Sequence, residues 1–200
     1  ISDLDARAAS IFTSVDPALG AHYNTMRREG LLDLPSRKGK APGGYCTAFP
    51  VAQRPFIFMN AVGLHGDVDT LLHEGGHAFH VFESAGLKSH LLQDVPMEFA
   101  EVASMGMELL SSPYLSRDKG GFYSEADAAR ARFEHLDGML RFWPYMAVVD
   151  AFQHWVYTHA DAAADPAACD AMWSGLYRRF HPDVDVSGIE TEIANGWQQK

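Results

Sequence analysis

Two histidines four residues apart flank an acid in the segment His73-Glu74-Gly75-Gly76-His77. In an α-helix, positions i and i+4 lie on one face about 6 Å apart along the axis, so both imidazoles can bind one metal ion. Glu74 lies about 100° round such a helix from His73, where it can take a proton from a water molecule. The spacing predicts a metal-dependent hydrolytic site. The alternative is a chance pattern, expected in roughly 2–3% of such chains, with both histidines satisfied by hydrogen bonds.

A catalytic zinc site uses three protein ligands and keeps one position open for water, so a third ligand is needed. The next predicted helix offers Glu98, Glu101 and Glu108, at i, i+3 and i+10 and close to one face. Each could instead be a solvated helix charge, and spacing alone does not choose between Glu98 and Glu101. Asp69, one turn before His73, could orient a ligand imidazole, or it could simply favour the positive end of the helix dipole.

The elements that must position these residues are mainly helical. Two short apolar runs rich in aromatic residues, bounded by Pro and Gly, predict a small antiparallel β-sheet over about 45–60. Apolar residues at three- and four-residue spacing predict the metal-binding helix over about 67–84 and the third-ligand helix over about 96–110. Long helices are expected over about 124–180. The sequence therefore predicts a mainly α fold with a small sheet.

Composition excludes several classes of partner. The net charge is −10 and no basic run is present, which argues against nucleic acid, because phosphate neutralisation needs clustered Lys and Arg. The basic segment Arg37–Lys40 fits a solvated loop. No apolar run approaches the roughly 20 residues of a membrane span, and residues 1–5 show no start of a signal peptide. Cys46 and Cys169 lie far apart, which favours plain thiols and a cytoplasmic location.

Two longer segments resemble a known family. Residues 67–80, DVDTLLHEGGHAFH, resemble the zinc helix of the oligoendopeptidase F and thimet oligopeptidase family of zinc metallopeptidases. Residues 101–104, EVAS, with Glu108 seven residues after Glu101, are similar to the second motif of the same family. The first Glu of that motif is the third zinc ligand, so the resemblance selects Glu101. It also implies that Glu108 lies behind the ligands, where it could hold one of them in place.

The resemblance covers most of the chain. Residues 37–46 and 55–60 are similar to the loop and strands that precede the zinc helix, and residues 142–190 resemble a later part of the family. It implies a predominantly helical, zincin-like (gluzincin) catalytic core with a small sheet and a deep channel. We therefore expect residues 1–200 to form a single catalytic-core domain or a fragment of a longer peptidase.

The family also implies a cofactor, a substrate class and a reaction. We expect one zinc ion per chain and short unstructured peptides as substrates, because a channel excludes folded proteins. Glu74 would take a proton from the attacking water and pass it to the leaving amine. An edge strand before the zinc helix would pair with the extended peptide through main-chain hydrogen bonds.

One family feature is absent from the sequence. The family carries a His and Tyr motif, well beyond the third ligand, that helps to hold the oxyanion of the tetrahedral intermediate. Tyr145, His154 and Tyr157 are possible substitutes, although their setting resembles the helix before that motif. Loss of one oxyanion donor costs about 10²–10³ in rate, so the alternative function is a zinc-binding catalytic fragment with little or no activity. His80, one turn beyond His77, could contact substrate or could be a plain packed side chain.

Three rival interpretations can be weighed. A dimetal carboxylate bundle needs paired Glu-x-x-His half-motifs, and Glu74 begins the sole example in this sequence. A purely structural zinc site would lack an open position for water. A different zincin family would use Glu98 in place of Glu101 as the third ligand.

Overall fold

The fold is mainly helical, as predicted, and a computed structural model describes residues 2–199. The chain divides into two compact units, Ile1–Arg130 and Ala131–Lys200. The α-helices are α1 Ser2–Val15, α2 Pro17–Glu29, α3 His65–Ser84, α4 His90–Gln93, α5 Met97–Ser111, α6 Glu125–Thr158, α7 Ala160–Ala163, α8 Pro166–Phe180 and α9 Glu190–Ala194. The strands are β1 Leu32–Pro35, β2 Tyr45–Phe49 and β3 Arg54–Ala61, and short 3₁₀ helices span Ser112–Tyr114, Arg117–Lys119 and Asn195–Gln199. No helix within residues 2–199 is long and apolar enough to cross a membrane.

The sheet has three strands in the order β1-β3-β2. β2 pairs with β3 in antiparallel fashion, with Tyr45 opposite Phe58, but β1 pairs with β3 in parallel, with Leu32 opposite Ile57. The prediction of an antiparallel sheet is therefore wrong, because the sheet is mixed. β1 is only four residues long and fully buries only Leu34, so its sequence carries little strand periodicity. β2 forms the outer strand on the other side of β3.

An apolar core holds the sheet and the first helices together. The buried positions of β3 alternate along the strand and include Ile57 and Met59, as expected where one face of a sheet is covered. α1 contributes Phe12, which packs edge-on against Phe79 of α3 at 4.8 Å between ring centroids and against Tyr23 of α2 at 5.0 Å. This core fixes the position of α3 against α1 and α2.

Two adjacent glycines allow α3 to lie close to its neighbours. A methyl group at Gly75 would lie 2.6 Å from the Phe12 ring of α1. One at Gly76 would meet the carbonyl oxygen of Ala103 and would lie 2.6 Å from the Ser104 Cα of α5. Neither position can carry a side chain without movement of its neighbour, so the pair sets the distance from α3 to α1 on one side and to α5 on the other.

Lys40 anchors the loop that leads into β2. Its side chain is 1% exposed, and its ammonium donates to the carbonyl oxygens of Asp33 at 2.9 Å, Pro35 at 3.0 Å and Met59. The same nitrogen lies 3.2 Å from Asp33 Oδ1 and 4.4 Å from the centroid of the Phe58 ring. The prediction of a solvated basic loop is therefore wrong for Lys40, whose cation is buried among carbonyl oxygens that only the folded chain brings together.

The carboxylate of Asp33 should make stability depend on pH. The hydrogen bond from Arg37 and the neighbouring Lys40 ammonium lower the pKa of Asp33 from 3.8 to about 2. Because the folded state favours the charged form of the carboxyl, this contribution to stability is complete above about pH 5 and is lost progressively as pH falls towards 2. Asp33→Asn is expected to lower the free energy of unfolding by about 1 kcal/mol at pH 7, since partly exposed ion pairs are screened. Urea unfolding of both proteins from pH 7 to pH 3 measures this difference, and a difference that does not shrink at low pH would contradict the assignment.

The second unit is a helical cluster around aromatic residues. α6 is 34 residues long and continues through Pro144. Its buried Val148 and Phe152 pack with Cys169 and Trp173 of α8. Cys46 and Cys169 are both free thiols.

Candidate metal centre

One carboxylate in the first turn of α3 binds the backbone of the turn that precedes the helix. Asp67 Oδ2 accepts hydrogen bonds from the backbone N–H groups of Val62 at 2.8 Å, Gly63 at 2.6 Å and Leu64 at 2.9 Å. An acid in the first turn of a helix also interacts favourably with the helix dipole. From this start, α3 buries one apolar face and turns His73 and His77, both partly exposed, towards α5.

Three side chains from α3 and α5 converge at one point. His73 Nε2 lies 3.2 Å from Glu101 Oε2, and His77 Nε2 lies 3.6 Å from the same oxygen. Two ligand atoms, each about 2.05 Å from a tetrahedral zinc ion, lie about 3.3 Å apart. Among the described His, Cys, Asp and Glu side chains, His73, His77 and Glu101 form the group whose ligand atoms all lie within 4.8 Å of one another. Both the donor set and the spacing fit a zinc ion.

The other nitrogen of His73 is also engaged. His73 Nδ1 lies 2.6 Å from Glu108 Oε1, and this hydrogen bond raises the pKa of His73 against the opposing effect of burial. A carboxylate at Nδ1 fixes the ring orientation and leaves Nε2 to bind a metal. Glu108, and not Asp69, is therefore the acid that orients the imidazole of His73. The Asp69 carboxylate instead lies 3.4 Å from His65 Nε2.

Glu74 lies beside the ligand group and is only 7% exposed. Burial raises the pKa of Glu74, while the positive charge of His73 and a backbone hydrogen bond from Cys46 act in the opposite direction. A carboxylate with a raised pKa is a stronger proton acceptor near neutral pH. The contact with Cys46 also links Glu74 to β2.

A cleft of about 680 Å³ runs over these residues. One wall is the segment Gly44–Ala48, which contains most of the outer strand β2. The other lining residues come from α3, from the end of α4, from the segment between α4 and α5, and from the start of α5. They are His73, Glu74, His77, His80, Val81, Ser84, Gln93, Asp94, Val95, Met97, Ala100 and Glu101.

The remaining predicted residues lie in different places. His80 lines the cleft one turn beyond His77, whereas Glu98 is exposed and does not belong to the ligand group. Tyr145, His154 and Tyr157 lie on α6 in the second unit, and the ring of Tyr145 is 6.4 Å from that of Trp173. Their oxyanion role stays a prediction.

One residue of the site was missed by sequence reasoning. Ser104 Oγ donates a hydrogen bond of 2.6 Å to Glu101 Oε2, the oxygen that faces both histidines. The signal was present, since a Ser three residues after a helical Glu lies on the same face.

Comparisons with known proteins show which family the chain resembles in sequence and in fold. The sequence model for peptidase family M3 matches residues 18–194. Oligopeptidase PepF of Bacillus subtilis (strain 168) is 32% identical over 191 residues, covering 90% of this chain and 27% of that protein. This chain therefore spans about a quarter of the length of this curated relative.

Solved structures give the same result. The structure of PZ peptidase A with inhibitor 2 is 35% identical and superposes with a TM-score of 0.82, covering 100% of this chain and 34% of that one. A protein of Bacillus anthracis str. Ames assigned as an oligoendopeptidase F is 32% identical with a TM-score of 0.78, covering 100% of this chain and 36% of that one. Because the family model matches most of the chain, from residue 18 to residue 194, this chain belongs to peptidase family M3.

Proposed function

We propose that this chain is the catalytic core of a zinc-dependent endopeptidase that hydrolyses short unstructured peptides. The observation that supports it best is the approach of His73 Nε2 and His77 Nε2 to one oxygen of Glu101, at 3.2 Å and 3.6 Å, with Glu74 buried beside them. Membership of peptidase family M3 and the likeness to a protein described as an oligopeptidase support the reaction class.

His73, His77 and Glu101 would hold one zinc ion per chain. When bound, zinc lowers the pKa of a coordinated water and polarises the scissile carbonyl. Glu108 would keep His73 in the orientation and protonation state that present Nε2 to the ion. Its Oε1 would accept a hydrogen bond from the Nδ1–H group, with 2.6 Å between the two heavy atoms.

Glu74 would act as general base and then as general acid. Its carboxylate would take a proton from the attacking water and deliver it to the amine nitrogen that leaves when the peptide C–N bond breaks. The low exposure of Glu74 supports this role, because a desolvated carboxylate has a stronger tendency to gain a proton.

The cleft supports an extended peptide as substrate. β2 is an outer strand that lines the cleft beside the ligand group, so its free edge can pair with the main chain of a peptide. Pairing of this kind depends little on side chains, which suits a peptidase of broad sequence preference. A cytoplasmic location stays a prediction from the two free thiols.

The first test measures metal content and hydrolysis together. The 200-residue chain is expected to bind one zinc ion and to cleave a mixed pool of short peptides, with cleavage lost after chelation and restored by zinc. His77→Ala should abolish stoichiometric zinc binding because it removes a ligand. His80→Ala, one turn away on the same helix, should keep the zinc. Zinc bound at one per chain without any cleavage would contradict the proposed activity of this chain and favour the alternative, a zinc-binding catalytic fragment with little or no activity. Equal zinc content in both variants would contradict the ligand set.

A further inference from the structure

We propose that Ser104 is a positioning residue that holds the metal-facing oxygen of Glu101 in place. The inference rests on the proposed zinc site. Glu101 Oε2 lies 3.2 Å from His73 Nε2 and 3.6 Å from His77 Nε2, and the same atom accepts the 2.6 Å hydrogen bond from Ser104 Oγ. A carboxylate oxygen has two lone-pair positions, so it can accept this hydrogen bond and bind an ion at the same time.

The surroundings of Ser104 leave its hydroxyl few other partners. Ser104 is 0% exposed and lies where α5 touches α3, against Gly76. Solvent therefore does not compete for the hydroxyl proton. Within residues 2–199 the hydroxyl makes one other hydrogen bond, to the backbone carbonyl oxygen of Glu101 at 3.1 Å, which is longer than the 2.6 Å bond to the carboxylate. The geometry favours donation to Oε2.

Glu101 needs such a restraint more than the histidines do. Its side chain is 38% exposed, against 28% for His73 and 21% for His77, and it reaches the site from a different helix. A partly exposed Glu samples several rotamers, and ordering a long side chain costs up to about 2 kcal/mol in entropy. Ser104 orders this side chain before any ion arrives, which raises the affinity of the site for zinc.

The expected effect is a loss of zinc affinity. Loss of a residue that holds a metal ligand typically weakens metal binding by about 10- to 100-fold. Ser104→Ala should therefore raise the zinc dissociation constant at least tenfold, as measured by competition with a chromophoric chelator at constant pH. Ser111→Ala is the matched control, because Ser111 is a buried serine of the same helix whose hydroxyl has no hydrogen-bond partner within the described part of the chain. It should leave zinc affinity unchanged.

A double-mutant cycle separates positioning from general packing. If Ser104 acts through Glu101, Ser104→Ala should cause a smaller loss in the free energy of unfolding of the metal-free protein in a chain that already carries Glu101→Ala. An equal loss in both backgrounds would overturn the proposal, since it would mean a packing defect. Unchanged affinity in Ser104→Ala, with normal zinc binding by the unsubstituted chain, would overturn the role of Ser104 alone. Failure of the unsubstituted chain to bind zinc would overturn the zinc site and this inference with it.

Discussion

Glu74→Gln is expected to lower the rate of peptide hydrolysis by about 10²- to 10⁴-fold while one zinc ion per chain is retained. The amide has nearly the same shape as the carboxylate and can still accept the backbone hydrogen bond from Cys46. It cannot, however, accept a proton from water. Because Glu74 is not among the three converging ligands, metal content should not change. Steady-state cleavage of a fluorogenic peptide, with zinc measured on the same sample, gives both quantities.

The control for this substitution lies on the same helix. Glu83→Gln makes the same chemical change at an exposed residue of α3 that pairs with His22 at 2.9 Å and does not line the cleft. It should leave both hydrolysis and zinc content unchanged. Full activity of Glu74→Gln with zinc bound would refute the general-base role. Loss of zinc from Glu74→Gln would mean that Glu74 supports the ligand group instead.

The part of the site that depends on a single helix could be predicted from sequence. His73 and His77 are brought together by one helical turn, and helical periodicity is a local property. Glu101 is different, because its distance from the histidines depends on how closely α5 approaches α3. The spacing did not choose between Glu98 and Glu101 as the third ligand. Only the family resemblance selected Glu101, whose Oε2 lies 3.2 Å from His73 Nε2.

Features that need partners distant in sequence were harder to predict. Asp69 was considered as the partner of His73 because it lies one turn away, but the carboxylate at His73 Nδ1 comes from Glu108 on another helix. Lys40 lies in a polar, Gly-rich segment, and nothing local indicates that carbonyl oxygens of β1 and β3 surround its ammonium. β1 was missed for the same reason, because a four-residue parallel strand is stabilised by its neighbour more than by its own pattern.

Gly76→Ala is expected to damage stability and metal binding together. The added methyl group would collide with the Ala103 carbonyl oxygen and would lie 2.6 Å from Ser104 Cα, both backbone atoms of α5 that cannot rotate away. The two helices must separate, and overpacking of this kind costs about 1–3 kcal/mol of stability. Separation also moves Glu101 away from the histidines. The loss in the free energy of zinc binding should therefore clearly exceed the loss in the free energy of unfolding of the apo-protein. Denaturant unfolding and zinc titration of the same protein measure the two effects.

Gly106→Ala distinguishes crowding at the crossing from the general effect of replacing a helical glycine. A methyl group at Gly106 of α5 would meet no atom within 4 Å in the described part of the chain, apart from its own neighbours and helix backbone. This substitution should therefore stabilise the chain by about 0.5–1 kcal/mol through helix propensity and leave zinc affinity unchanged. If Gly76→Ala behaved like Gly106→Ala, the close approach of α3 and α5 would not be what places Glu101. The expected result is opposite signs of the two stability changes, with zinc affinity lost only in Gly76→Ala. This result would show that Gly76 sets the distance between α3 and α5 and thereby the position of Glu101.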